Sequence, residues 1–194
     1  MKLRTSPRTN DLSVEEKRSV NMVQKSNRRL IGVVLLAWFA VLGFDFFLHG
    51  GLLASLYTEP SPFLLPPEEA FRLIPLGYLA FLIFEIFLVW IIVRLDVKGW
   101  RSGMVLGLQV GAFAWGALVL GLLSISTASI RLLAGWFIGQ TIEAGIGGMV
   151  AGAGLITERP GRLTIYVVIF VIAALIVTIV LQSAGLAPAM RVAG

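Results

Sequence analysis

Cysteine is absent from this 194-residue chain, and histidine occurs once, at His49. The first absence excludes disulfides, thiol redox chemistry, dithiol-coupled quinone enzymes and thiolate-held metal clusters together. The second leaves any imidazole-based metal site short of ligands, since transition-metal centres usually take two or more. Charge is also scarce, at 14% of residues, so little of the chain is left over for a soluble domain. Sequence patterns of catalysis are missing too: there is no H-E-x-x-H, no P-loop and no serine nucleophile elbow. The string Gly43-Phe44-Asp45 is not the glycine-x-glycine-aspartate of intramembrane aspartyl proteases. The expectation is a protein without catalysis of its own.

What is present is apolar. Hydrophobic residues make up 57% of the chain and mean hydropathy is +0.88. Five apolar stretches of bilayer length fall at about 30–56, 71–95, 102–126, 131–157 and 163–185. Runs of that length need lipid around them. Inside lipid each buried amide must be satisfied within its own segment, which forces helices. The predicted fold is an all-α polytopic transmembrane bundle: a basic tail over 1–29 and a five-span domain over 30–194.

The formal charge of +5 is confined to that tail, where eight Lys and Arg face Asp11, Glu15 and Glu16; residues 30–194 sum to zero. Beside a transmembrane helix such a tail reads as a positive-inside signal resting on anionic lipid, not as a nucleic-acid arm. With the amino terminus inside, thirteen basic residues fall on the cytoplasmic side, including Arg94, Lys98, Arg101, Arg159 and Arg162. Only Arg72, Arg131 and Arg191 fall outside. The expected topology is amino terminus cytoplasmic, carboxyl terminus outside, in a bacterial inner membrane. The string SNRRLIG resembles a twin-arginine signal, but the apolar run after it is too long and shows no A-x-A cleavage site.

Local signals fill in the connections. Ser13 with Glu16 has capping-box spacing and predicts a helix from about residue 14. Pro60, Pro62, Pro66 and Pro67 stiffen the loop over 57–70 and leave Phe63, Leu64 and Leu65 to lie on the membrane or a neighbour. Pro67, Glu68 and Glu69 make a helix start, and Pro75 predicts a kink shortly after it. Gly103, Gly107 and Gly111 repeat every four residues, as do Ala144, Gly148 and Gly152. Small residues at that spacing allow close helix approach, so the third and fourth helices are predicted to pack as a hairpin across the short SISTASI link. The fifth helix carries no charge from Ile165 to Leu181 and reads as a lipid-facing spacer.

Against this apolar background stand three acids, Asp45, Glu85 and Glu143, each within roughly 5 Å of the midplane at about 1.5 Å per residue. Ionisable groups at that depth are costly and mark function by default. His49 shares the face of Asp45 one turn on, Gln140 shares that of Glu143 with Trp136 a further turn outward, and Gln109 supplies a polar group on the third helix. Three readings compete. The set holds helices in register by mutual hydrogen bonds, or it lines a proton or cation pathway, or His49 with Asp45 binds a metal or serves as axial ligand to a tetrapyrrole. No cofactor is predicted.

The strings FDFFLHGGLLASLY and WFIGQTIEAGIGGMVAG, with Gly77-Tyr78, resemble a family of small bacterial multi-pass membrane proteins of unassigned function. The resemblance covers about residues 43–154. It implies that Asp45, His49, Trp136, Glu143 and the glycines after it belong to the family's shared part, and it implies no activity. The tail and the fifth helix lie outside it, as additions suited to docking. The expected role is an accessory or assembly subunit, with other membrane subunits and lipids as partners. The alternative is a small proton- or cation-conducting transporter built on Asp45, Glu85 and Glu143.

Overall fold

The computed structural model describes residues 9–58 and 61–188, and for residues 9–26, 67 and 68 the backbone alone. Five helices follow one another: α1 (Thr9–Phe47), α2 (Pro67–Arg94), α3 (Trp100–Ile125), α4 (Ile130–Ile156) and α5 (Pro160–Ser183). There are no strands among the described residues. The chain divides into two units, residues 1–32, which hold the amino-terminal part of α1, and residues 33–194, which hold the bundle.

Four segments are long and apolar enough to cross a membrane: Asn27–Leu52, Glu69–Arg94, Trp100–Ile125 and Pro160–Ser183. The fourth helix, α4, is as long but less apolar, because it carries Gln140, Glu143 and seven glycines. Its position explains that composition. It is buried along most of its length and is touched by all four other helices. A helix whose neighbours are protein does not need lipid-facing side chains; it needs to let those neighbours in.

Glycine does this on every side of α4. Towards α3, a Cβ on Gly103 would fall on the Gly148 carbonyl oxygen, one on Gly107 on that of Ala144, and one on Gly152 on that of Gly99. Gly111 meets the Ala144 methyl in the same line. Backbones in such contact exclude any larger residue. Ser129 starts α4 by accepting the Leu132 amide at 3.2 Å, so the hairpin turn is capped as well as short. Elsewhere Gly139 receives Leu48, Gly135 receives Leu53 and Gly154 receives Val33 and Leu163. The apolar core joins Val33, Ala37 and Ala40 of α1 to Leu88 and Ile92 of α2, Val150 and Ala151 of α4, and Val167 and Val171 of α5.

Several expectations are corrected. The first helix starts at Thr9, so Ser13 lies inside it and not at its cap; its side chain is outside the described residues. The expected continuous span over 30–56 changes character after Phe47, becoming a π-helical turn over Leu48–Leu52 and a 3-10 turn over Ala54–Tyr57. The fifth helix is more than a spacer. Val167, Val171, Ala174 and Thr178 are buried, and Gln182 Nε2 donates to the Gly50 carbonyl oxygen at 2.8 Å. The second helix starts at Pro67 as expected and continues through Pro75. Of the two places expected for Phe63, the membrane or a neighbour, it takes the neighbour: its ring lies 6.1 Å from that of Trp136.

Candidate functional site

The site grows from the place where α1 stops being α-helical. A π turn makes room for one more residue per turn, and here Leu53 N–H reaches back five residues to the Leu48 carbonyl oxygen at 2.8 Å. Gly50 and Gly51 sit in the widened turn, whose Gly50 carbonyl takes its hydrogen bond from Gln182 of α5. The widened turn carries His49, and the 3-10 turn that follows it ends at Tyr57. Leu48 and Leu53 fix it to α4 by filling the spaces left at Gly139 and Gly135.

Around His49 a connected set of polar groups forms. His49 Nε2 lies 3.2 Å from Asp45 Oδ1 and 3.1 Å from Gln140 Nε2. His49 Nδ1 meets the Tyr57 hydroxyl, and Trp136 Nε1 donates to that hydroxyl at 2.7 Å. One end of the set, at Tyr57 and Trp136, lies under Phe63 of the α1–α2 loop. Burial of Tyr57 raises its phenol above the ordinary value, so at neutral pH it keeps its hydrogen.

Two further acids lie deeper. Glu85 of α2 is 0% exposed and its carboxyl rests against Gly147, where a Cβ would fall on the carboxyl itself. Glu143 is 2% exposed and within electrostatic reach of both Asp45 and Glu85. None of the four oxygens of these two carboxyls makes a well-formed hydrogen bond within the protein, although the Gln140 side chain lies close to Glu143, and the Thr141 hydroxyl on the α3 side of α4 makes none either. Buried polar groups are rarely left so, because an unmade bond costs the group its full desolvation penalty.

The structure therefore brings together Asp45, His49, Glu85, Gln140 and Glu143. It does not bring Gln109 to them. Gln109 is exposed on the outer side of α3, because Gly107 and Gly111 face α4 and a residue two positions from either points away. Tyr57 is the member that sequence reasoning missed. In a regular helix its eight-residue separation from His49 puts it two turns off; the irregular backbone folds it back. The double glycine at Gly50-Gly51 was the available signal.

Among the described residues no three His, Asp or Glu side chains are grouped to hold a metal ion. Both nitrogens of His49 are engaged by protein groups, so the ring has none to offer a metal or a tetrapyrrole. No family model, curated protein or solved structure matches the chain.

Proposed function

We propose that this chain is a five-span protein of a bacterial inner membrane, amino terminus inside, whose buried acids bind protons and pass them along the Glu85–Glu143–Asp45–His49 set. One observation carries the reading: four buried carboxylate oxygens without a well-formed hydrogen bond in the protein, beside a connected polar chain. A cluster kept only to hold helices together would have its oxygens bonded to neighbouring side chains, as the Tyr57 hydroxyl is. Carboxyls without well-formed bonds to the protein suit exchange with water and protons. A proton fits better than a metal cation, which needs several oxygens converging on one point.

The fifth span is part of the proposal. With α3 crossing, its capped antiparallel partner α4 returns to the starting side, and five crossings give a thirteen-to-three bias of basic residues against twelve to four for four crossings. A reporter fused after Leu186 then reads as external and one at Lys98 as cytoplasmic; the reverse at either site rules out the arrangement.

The test of function uses proteoliposomes carrying a trapped pH dye and an imposed potassium diffusion potential. Wild-type protein is expected to conduct protons, and Glu143→Gln or Glu85→Gln to abolish the flux while inserting normally. Wild-type vesicles no more permeable than protein-free ones would refute conduction.

A second reading, an accessory subunit of a larger membrane complex, is favoured by α1. That helix begins at Thr9, well before the apolar span at Asn27, and residues 1–29 carry the whole net charge. A helical basic arm of this kind suits a protein partner as well as lipid. Deleting residues 1–24 would release such a subunit from its complex and leave insertion intact, since Lys25, Arg28 and Arg29 remain. Unchanged co-purification of the same partners would remove docking by the arm.

A further inference from the structure

One arrangement of hydrogens satisfies the three hydrogen-bonding groups around His49 with no donor left over. An indole Nε1 is a donor and never an acceptor. The Trp136 N–H points at the Tyr57 oxygen, 2.7 Å away, so that oxygen is already accepting. The Tyr57 hydroxyl owns one hydrogen, and the group that remains to take it is His49 Nδ1. An imidazole nitrogen that accepts carries no hydrogen of its own. In the neutral ring the hydrogen then sits on Nε2, the nitrogen facing Asp45 Oδ1 at 3.2 Å and the Gln140 amide at 3.1 Å.

We infer that Trp136 and Tyr57 are positioning residues that lock neutral His49 in the Nε2–H tautomer, with its proton aimed at Asp45 and Gln140. The inference rests on the proton-relay reading for its purpose, though not for its geometry. A second consequence concerns Gln140. Its nitrogen cannot accept from Nε2–H, whereas its oxygen can, and the two ends of an amide are nearly the same size. The Gln140 side chain therefore turns its oxygen to His49. The chain of donors thus has a direction: Trp136 to Tyr57, Tyr57 to His49, His49 to Asp45 and Gln140.

This arrangement depends on the irregular end of α1. The π turn displaces His49, and the 3-10 turn returns Tyr57 to it. The Phe63 ring then packs on the Trp136 ring that starts the chain of donors.

His49 is the single histidine of the sequence, so nitrogen-15 histidine labelling of the full chain, purified with a histidine-free tag, gives one imidazole. Protonated and unprotonated ring nitrogens are well separated in such spectra, and the coupling of each to the ring carbons says which is which. In bilayers above the titration of the ring, the wild type is expected to show protonated Nε2 and unprotonated Nδ1 as one species. Tyr57→Phe, which keeps the ring and loses the hydroxyl, is expected to give a mixture of tautomers. Trp136→Phe is expected to shift Nδ1 by a smaller amount, since Tyr57 loses the bond that orients it. A wild type with its proton on Nδ1, or a Tyr57→Phe spectrum identical to wild type, would overturn the inference. The wild-type spectrum decides the matter even where a variant does not fold. A locked tautomer in a protein that conducts no protons would support this inference and sink the relay, while mixed tautomers in a conducting protein would do the opposite.

Discussion

One helix, α4, presents two unlike sides. Towards α3 its small residues mostly meet other small residues, backbone on backbone, with the Leu108 side chain of α3 filling the space at Gly145 and the Thr141 hydroxyl on the same side. Towards α1 and α2 its glycines are just as numerous, but what they admit is different: the Leu48 and Leu53 side chains at Gly139 and Gly135, and the Glu85 carboxyl at Gly147. The same residue type serves close packing on one side and the seating of a charge-bearing group on the other. Glycine in a membrane helix therefore has to be read together with its neighbour across the gap. A Gly-xxx-Gly register facing a second register makes a dry seam, whereas a glycine facing an acid makes a pocket for it.

The contrast can be broken from either side. The largest effect is expected on the seam. Gly103→Leu or Gly148→Leu drives a side chain into a backbone carbonyl that has nowhere to go, at the top of or above the roughly 1–3 kcal/mol typical of overpacking. Loss of the folded form in detergent melting would confirm a seam, and unchanged melting in both would place these glycines against lipid. Next comes Gly147→Ala, whose methyl displaces the Glu85 carboxyl without touching α3. A stability loss at the low end of the same 1–3 kcal/mol range is expected, about that of one added methyl group. It should come with a loss of proton flux that Gly103→Ala does not share in any correctly folded fraction. Glu143→Gln is expected to alter stability by only about 1 kcal/mol, because the amide keeps the shape and still lacks full hydrogen bonding, yet to stop proton flux. The smallest effect is reserved for Gln109→Leu, on the exposed side of α3. A change within about 0.5 kcal/mol and normal flux are expected, and a strong phenotype there would mean that α3 is rotated from the position described.

Much of this was legible in the sequence for a physical reason. Bilayer-length apolar runs have a single backbone solution, so the helices could be placed within a few residues, and the i, i+4 repeat at Gly103, Gly107 and Gly111 identified a face. Asp45 and His49, and likewise Gln140 and Glu143, could be paired because helical spacing settles which residues share a side. Where the backbone departs from that spacing, the reading failed. Tyr57 was unreadable because a π turn and a 3-10 turn stand between it and His49. Gln109 was assigned to the cluster by its depth alone, although its angle from the glycine face already pointed it outward. The role of α5 was underestimated because its polar contact with the site comes from Gln182, at the very end of an otherwise apolar helix.

The central claim is that α4 separates a dry side from a side that water and protons reach. The sequence has no cysteine, so each introduced thiol is unique. Glu143→Cys and Ala144→Cys place that thiol on adjacent residues, about 100° apart around the helix. A small, charged, membrane-impermeant thiosulfonate reagent applied to vesicles or spheroplasts from both sides reports which thiol meets water. The account predicts that the thiol at position 143 is modified and the one at position 144, against Gly111, is not. Protection of both thiols would mean that the acid cluster is sealed and structural, and would contradict it.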